Sequence, residues 1–258
     1  MKILKIKSKD NEKIKYLRKL NQKKYRDKLS MFCVENFKIT IDAFDSGVCF
    51  DSLFVTKKFI DKNKKGFEKL LNNSDTKEYY LIDEKTNKTF SNLETPPGIC
   101  GVYKKPKQKI DYNNRVVYLN AINNPGNLGA ILRSALAFSF KNIVLDESCA
   151  DLYNYKTINS AKDAIFKLNI EFDNNLKILK SIKKKMKIFS TALNSANGLD
   201  ILKKEKIFCI IFGNEANGVD KKIINMSDGS IKINISDEIE SLNVTATAAI
   251  VFHSTHKK

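Results

Sequence analysis

The sequence has no apolar stretch able to span a bilayer: its longest apolar run is Ile207–Phe212, against the roughly 20 residues a membrane helix needs. The first ten residues, MKILKIKSKD, are basic but lack the apolar core of a secretory signal, so the expected location is the cytoplasm. The five cysteines (Cys33, Cys49, Cys100, Cys149, Cys209) are odd in number, scattered and never in C-x-x-C spacing. That excludes a disulfide framework and a thiolate zinc site and leaves reduced thiols. Only two histidines occur, His253 and His256, within the last six residues. A frayed tail is expected there, and no metal. Neither G-x-G-x-x-G nor G-K-[ST] is present, which excludes a dinucleotide fingerprint and a P-loop. Internal repeats and long low-complexity tracts are also absent.

Negative charge is the scarcest resource. Against 46 Lys+Arg stand 29 Asp+Glu, a formal charge of +17, and a field of that sign attracts nucleic acid or an anionic membrane. With no membrane anchor in view, nucleic acid is the expected partner. The first 30 residues hold 12 Lys/Arg and 3 Asp/Glu, interleaved with Ile14, Leu17, Leu20 and Tyr25 at helical spacing, which predicts a basic amphipathic helix. Lys23, Lys24 and Arg26 are its candidate RNA contacts.

The 258 residues, 42% of them hydrophobic, suffice for one large domain or two ordinary ones with real cores. Short apolar runs at Met31–Val34, Leu53–Val55 and Tyr79–Ile82 alternate with helical stretches around Phe37–Ser46 and Phe59–Leu71, predicting a small α/β domain over residues 1–103. Thr95-Pro96-Pro97-Gly98 and the polar residues 104–114 break the pattern and mark a linker. Over residues 115–258, strand-like runs recur at Val116–Leu119, Ile143–Leu145, Lys187–Ser190, Ile207–Phe212 and Ile231–Ile235. Their helix-length spacing predicts a parallel sheet with helices on both faces. Ligands bind beyond the carboxyl ends of such strands, so the loops after Leu119, Ser190, Phe212 and Ile235 are where chemistry is expected.

Three segments stand out. Asn123-Asn124-Pro125-Gly126-Asn127-Leu128-Gly129-Ala130-Ile131-Leu132-Arg133-Ser134-Ala135 combines a Pro-Gly turn, Asn127 as a helix cap, and Arg133 about one and a half turns on. Phe212-Gly213-Asn214-Glu215-Ala216-Asn217-Gly218 brackets a carboxylate with glycines that let backbone approach a ligand. Glu240-Ser241-Leu242-Asn243-Val244-Thr245-Ala246 opens a small-residue helix, with Ser241 or a neighbour as cap. Each also has an ordinary explanation: a β-turn-α connection, a capping turn and a packing helix.

Taken in order, the three segments resemble the motifs of the SpoU/TrmH family of RNA ribose 2′-O-methyltransferases, within the SPOUT superfamily. Asp151-Leu152-Tyr153-Asn154 and Ile165-Phe166 resemble the family's stretch between its first two motifs. Lys24-Tyr25-Arg26-Asp27-Lys28, Phe32-x-Val34-Glu35 and Pro97-Gly98-Ile99 resemble the L30e-like substrate-binding domain of one branch.

The resemblance implies a SPOUT catalytic domain with a deep trefoil knot, threaded from about Asn234 onward, behind a small L30e-like α/β domain. It implies S-adenosylmethionine as cofactor, held at Thr191, Ala192, Leu193, Gly213, Gly218, Ile233, Ile235 and Leu242, and a homodimer formed through the catalytic domain. Arg133 matches the catalytic arginine and is a further candidate RNA contact. Because a guanidinium stays protonated in proteins, its expected role is to grip the adjacent phosphate and stabilise the developing alkoxide. A phosphate or a water then takes the proton. Asn127 would orient the arginine or the ribose, Glu215 would fix the loop, and Ser241 and Asn243 would complete the substrate side.

The chain departs from the branch at Tyr155, Asn159, Ala161 and Asp163, which stand where Pro, Arg, Ser and Gly are usual. Ala216 replaces a common glycine, and Glu35-Asn36 a frequent Glu-Gly. Ribosomal RNA, of the 23S type, is the expected substrate, with tRNA or base methylation within the superfamily as alternatives. A non-catalytic RNA-binding or ribosome-assembly factor is the alternative of another class.

Overall fold

The computed structural model describes residues 3–72 and 78–256. The chain divides into two units, Met1–Pro106 with Tyr153–Asn159, and Lys107–Leu152 with Ser160–Lys258.

The first unit runs β1 (Ile3–Lys5), α1 (Glu12–Leu20), α2 (Lys23–Leu29), β2 (Met31–Val34), α3 (Phe37–Asp45), β3 (Ser52–Thr56), α4 (Lys57–Lys62), α5 (Lys64–Asn72), β4 (Glu78–Ile82), α6 (Glu84–Lys88) and β5 (Ile99–Lys104). Its sheet has the order β1-β4-β3-β5-β2. β1, β4 and β3 run parallel, while β5 is antiparallel to both β3 and β2.

The basic N-terminal stretch forms two helices rather than one. Asn11 caps α1 by accepting from the Lys13 N–H at 2.9 Å. Ile14, Leu17 and Leu20 then bury completely against Phe54, Tyr80 and Val102, each burial contributing about 1.5–3 kcal/mol. Asn21 and Gln22 end that helix, and Tyr25 falls on α2. The helix expected over Phe59–Leu71 is likewise two, because the Asn63 amide donates to the Phe59 carbonyl at 3.1 Å and closes α4.

The second unit runs β6 (Val116–Leu119), α7 (Pro125–Ala137), β7 (Asn142–Asp146), α8 (Tyr155–Ala161), which begins in the segment grouped with the first unit, α9 (Ala164–Lys167), β8 (Asn169–Asp173), α10 (Lys177–Lys183), β9 (Lys187–Thr191), α11 (Asp200–Lys203), β10 (Phe208–Phe212), α12 (Lys221–Ile224), β11 (Gly229–Ile231) and α13 (Val244–Thr255). Its strands pair in the order β11-β9-β10-β6-β7-β8, all parallel. The central strands β6 and β10 are buried along their whole length, as expected for a sheet covered on both faces.

Two strands differ from expectation. The run Ile231–Ile235 is strand only up to Ile231. β11 pairs with β9 alone, and β9 ends at Thr191 opposite Ile231, so Ile233 and Ile235 have no ladder to join. β8 had no counterpart in the apolar pattern. It pairs only with β7, and Phe172 is left 51% exposed at this sheet edge.

Residues 107–114 are docked rather than loose. The Ile110 and Asp111 N–H groups donate to Glu171 at 3.2 Å and to the buried Asn142 side chain at 3.0 Å. The C-terminal histidines are also held in place: α13 reaches Thr255, and His253 and His256 lie 5.7 and 5.9 Å from the Phe138 ring. Arg115 anchors the end of that helix by donating to the Thr255 carbonyl and lying over the Phe208 ring at 5.2 Å. A cation at a helix C-terminus is favourable.

Candidate active site

Parallel strands deliver their carboxyl ends to one edge of a sheet, and at β6, β9, β10 and β11 that edge carries the loops singled out in the sequence. The loops after β9, β10 and β11 border a cavity of about 980 Å³, lined by residues 191–194, 213–219, 231–237 and 239–242 together with Ile224, Val244 and Thr247, while the loop after β6 contributes no lining residue. Thr191, Ala192, Leu193, Gly213, Gly218, Ile233, Ile235 and Leu242 all line it.

The loop after β10 closes on itself. Asn214 and Gly218 exchange backbone hydrogen bonds at 3.0 and 2.9 Å, and Gly218 adopts a φ of +67°, a conformation open to glycine at little cost. A Cβ on Gly213 would collide with the backbone of Gly218 and Val219. The Asn214 side chain accepts from the Ala216 N–H at 2.8 Å and donates to the Ala121 carbonyl at 2.9 Å, so the loop is tied to its neighbour after β6.

That neighbouring loop is held in a strained form. Ala121 has a φ of +54°, which costs a non-glycine residue about 1–2 kcal/mol. Its N–H donates to the Asp146 carboxylate at 3.0 and 3.1 Å. The same carboxylate accepts from the Asn120 amide at 2.5 Å and from the Ser148 N–H at 3.0 Å. The Asn120 oxygen accepts from the Asp220 N–H at 2.8 Å. Asn120 and Asp146 are only 6% and 9% exposed. They form a polar hub that joins the loops after β6, β7 and β10.

The residues expected to carry chemistry are distributed unevenly. Asn127 is not the cap of α7. Pro125, with no N–H and a helical φ, occupies the first turn, so the cap is Asn124, which accepts from Gly126 and Asn127 N–H at 2.8 and 3.2 Å. The Asn127 side chain is thereby freed to donate to Glu215. Glu215 and Ser241 line the cavity. Asn243, not Ser241, caps α13, accepting from the Thr245 N–H at 2.8 Å and its hydroxyl at 2.6 Å. Arg133 lies two turns along α7, exposed and with no hydrogen bond or ion pair among the described residues. Six helical steps place it about 120° around the helix from Asn127.

Of the N-terminal cations, Lys23 and Lys24 are exposed, Lys24 lying 4.9 Å from the Tyr25 ring. Arg26 is turned inward, 6% exposed, and donates to the Leu20 carbonyl at 2.7 Å.

Asn120, Asp146, Asn124 and Asn214 were not anticipated. The available signal was a polar residue closing each apolar strand run, as in Val116-Val117-Tyr118-Leu119-Asn120 and Ile143-Val144-Leu145-Asp146. Cys149 stands beside this hub, but its thiol donates to the Leu119 carbonyl at 3.2 Å, and burial pushes its pKa well up, so it is an inert thiol.

Residues 114–253 match the model of the SpoU rRNA Methylase family, and residues 11–101 that of the MRM3-like substrate binding domain. The chain is 29% identical over 250 residues to the 23S rRNA (guanosine(2553)-2′-O)-methyltransferase RlmP of Bacillus subtilis, covering 96% of this chain and 98% of that one. The AdoMet-bound rRNA methyltransferase from Sinorhizobium meliloti superposes with a TM-score of 0.82 at 21% identity, over 98% of this chain and 97% of that one. The SpoU methyltransferase AviRb from Streptomyces viridochromogenes, in complex with AdoMet, superposes with a TM-score of 0.85 at 18% identity, over 95% and 97%.

Sheet order and matched models define the class as RNA methyltransferase. Within that class, the chain belongs to the SpoU rRNA Methylase family.

Proposed function

We propose that this chain transfers a methyl group from S-adenosylmethionine to a ribose 2′-hydroxyl of ribosomal RNA, acting in the cytoplasm as a homodimer. The carrying observation is that all eight residues expected to hold the cofactor, drawn from separated segments, line one cavity next to the Asn127–Glu215 bond. The cavity suits the group. Leu193 and Ile239, 65% and 52% exposed, offer bare apolar surface on its wall, and the backbone of the loops supplies donors and acceptors for an adenine edge. When bound, the sulfonium makes the methyl group electrophilic, so the protein has only to align the hydroxyl and ease loss of its proton.

Arg133 grips the phosphate beside the target ribose and stabilises the alkoxide as it forms, and a phosphate oxygen or a water takes the proton. Asn127 and Glu215 fix the loops around the ribose, with Ser241 and Asn243 on the substrate side. Residues 1–103 present the RNA through Lys23 and Lys24, and residues 115–258 carry the reaction. The irregular stretch from Lys232 to Asn243 supplies residues 232–237 and 239–242 to the cavity wall and, from Asn234 on, is the thread of a trefoil knot. The Bacillus subtilis relative, a named 23S rRNA 2′-O-methyltransferase spanned almost end to end, supports ribose and ribosomal RNA as the target. Among the described residues no helix is long and apolar enough to cross a membrane. The dimer is read through the second unit, where Ile250 of α13 is 39% exposed.

The test is methylation of unmodified ribosomal RNA by the purified protein, followed by alkaline hydrolysis. A 2′-O-methyl group leaves one gap in the ladder, at the adjacent phosphodiester. Methyl incorporation with an unbroken ladder would point to a base instead, and no incorporation at saturating cofactor to a binding factor. Sedimentation analysis tests the dimer.

A further inference from the structure

The strands of the second unit all run parallel, so the segments that enter them gather at the end of the sheet opposite the cavity. Register makes that end level. Phe208 pairs with Lys187, Cys209 with Val116, Val116 with Asn142 and Asn142 with Asn169. Lys187, Arg115 and Lys141 therefore fall in one row across β9, β6 and β7, and Lys206 and Lys167 stand two residues ahead of β10 and β8. At about 4.8 Å per strand, five neighbouring strands are each entered through a cation along roughly 19 Å.

Charge is divided between the two ends of this sheet. Segments 111–115, 138–141, 167–168, 183–187, 203–207 and 225–228, which enter the strands, hold 10 Lys/Arg and 3 Asp/Glu. Segments 120–124, 146–152, 173–176, 192–199, 213–220 and 232–243, which leave them, hold 1 Lys/Arg and 9 Asp/Glu. The end that carries the cavity thus has the sign that repels a polyanion, and the attraction of this unit for one comes from the other end. Cations on adjacent strands stand within the screening length of about 8 Å at physiological salt, so their fields add.

Internal pairing leaves that excess standing. Lys167 bonds Asp163 at 2.5 Å, Lys183 bonds Asp228 at 2.5 Å, Lys203 bonds Asp200 at 2.7 Å and Lys187 bonds Glu205. Arg115 is held by the Thr255 carbonyl. Lys141, Lys184, Lys204 and Lys206 are exposed and have no ion pair among the described residues. A lysine in the last turn of a helix serves the helix dipole, an effect that fades within that turn. It explains Lys183 and Lys203, at the ends of α10 and α11, but not Lys141 and Lys206 at strand entries. Apolar side chains that could enter a bilayer beside the cations are missing. The exposed large hydrophobics described in this unit, Phe172, Leu193, Ile224, Ile239 and Ile250, all lie outside the entering segments.

We infer that the amino end of the second unit's sheet, through Lys141, Lys184, Lys204 and Lys206, grips the phosphate backbone of the RNA at a segment remote from the reacting ribose. Strands of five residues put this end about 17 Å from the cavity loops, so the two ends meet different parts of one folded RNA. Lysine ammonium groups on a level row hold phosphates without reading bases, which makes the contact an anchor rather than a source of sequence choice. The inference takes its partner from the RNA-methylating reading and adds a second site to the same unit.

The experiment measures binding of the full chain to unmodified ribosomal RNA across a salt series, without cofactor, and then methylation of the same RNA. The triple variant Lys184→Gln, Lys204→Gln, Lys206→Gln should flatten the slope of log affinity against log salt by about 2–3, or about 0.7–0.9 for each lost phosphate contact. Its KM for RNA should rise about fivefold or more with kcat changed less than about twofold. The matching arginine triple keeps the charges and should keep both slope and KM. Lys58→Gln, Lys62→Gln, Lys65→Gln, an equal change of charge on the exposed lysines of α4 and α5, is the comparison. Equal losses in the two glutamine triples would reduce the effect to the diffuse field of a chain of charge +17 and overturn the anchor. So would an unchanged slope and KM in the first triple, or binding to phosphatidylserine vesicles that this triple abolishes while its RNA slope stays that of the parent. A slope that depends on these lysines in a protein that methylates no RNA would sink the enzymatic reading and leave the anchor in place.

Discussion

The side-chain amide of Asn127, in the first turn of α7, donates to the carboxylate of Glu215, in the loop after β10, across 88 residues of sequence. This bond and the Asn214–Ala121 bond at 2.9 Å tie the segment after β6 to the loop after β10, which lines the cavity. A hydrogen bond to a charged group contributes about 1.5–3 kcal/mol, toward the low end here because Glu215 is exposed.

Asn127→Ala and Glu215→Gln should each slow methyl transfer about tenfold or more, and the double variant little further, because both remove one interaction. Single-turnover rates on the four proteins measure the coupling. Fully additive losses would show that the two residues act separately.

Arg133→Ala should lower turnover by about a hundredfold or more while calorimetry finds cofactor affinity within about twofold of the parent, since the guanidinium is assigned to phosphate and alkoxide. Arg133→Lys should recover only part of the loss, keeping the charge without the bidentate fork. Turnover of the alanine variant within about tenfold, roughly 1.4 kcal/mol, would remove Arg133 from the chemistry.

Asp146 satisfies the Asn120 amide and the Ala121 and Ser148 N–H groups at once. Asp146→Ala leaves those donors unmet and releases the left-handed turn at Ala121, so urea unfolding should show a loss of about 2–4 kcal/mol. Asp146→Asn, which retains one acceptor, should lose less. Equal stability of the alanine variant would mean that the hub contributes little.

Burial raises the Glu35 pKa, opposed by bonds from Ser91 and Asn92. The sign follows from proton counting. Between the unfolded carboxylate value, about 4.3, and the raised folded one, the folded chain binds more protons than the unfolded, so this residue's contribution to stability falls as pH rises through that window. Thermal unfolding of Glu35→Gln, set against the parent from about pH 4 upward, should lack that fall. Parallel curves would show that Glu35 ionises freely.

Sequence alone determined what depends on local pattern. The strand runs at Val116–Leu119 and Lys187–Ser190 were legible from their short apolar pattern and helix-length spacing, and the motif wording around Asn127, Arg133, Gly213 and Ser241 pointed to the family later matched over residues 114–253. Tertiary structure decided what depends on partners. Ile233 and Ile235 read as strand but are not, because the partner strand β9 ends at Thr191, opposite Ile231. Asn127 reads as a cap but belongs to Glu215, because Pro125 claims the first helical position. Arg26 reads as a surface cation, yet it is buried. Asn120 and Asp146 look unremarkable until parallel strands bring their ends together, since a hydrogen bond between distant residues leaves no periodic trace in the sequence.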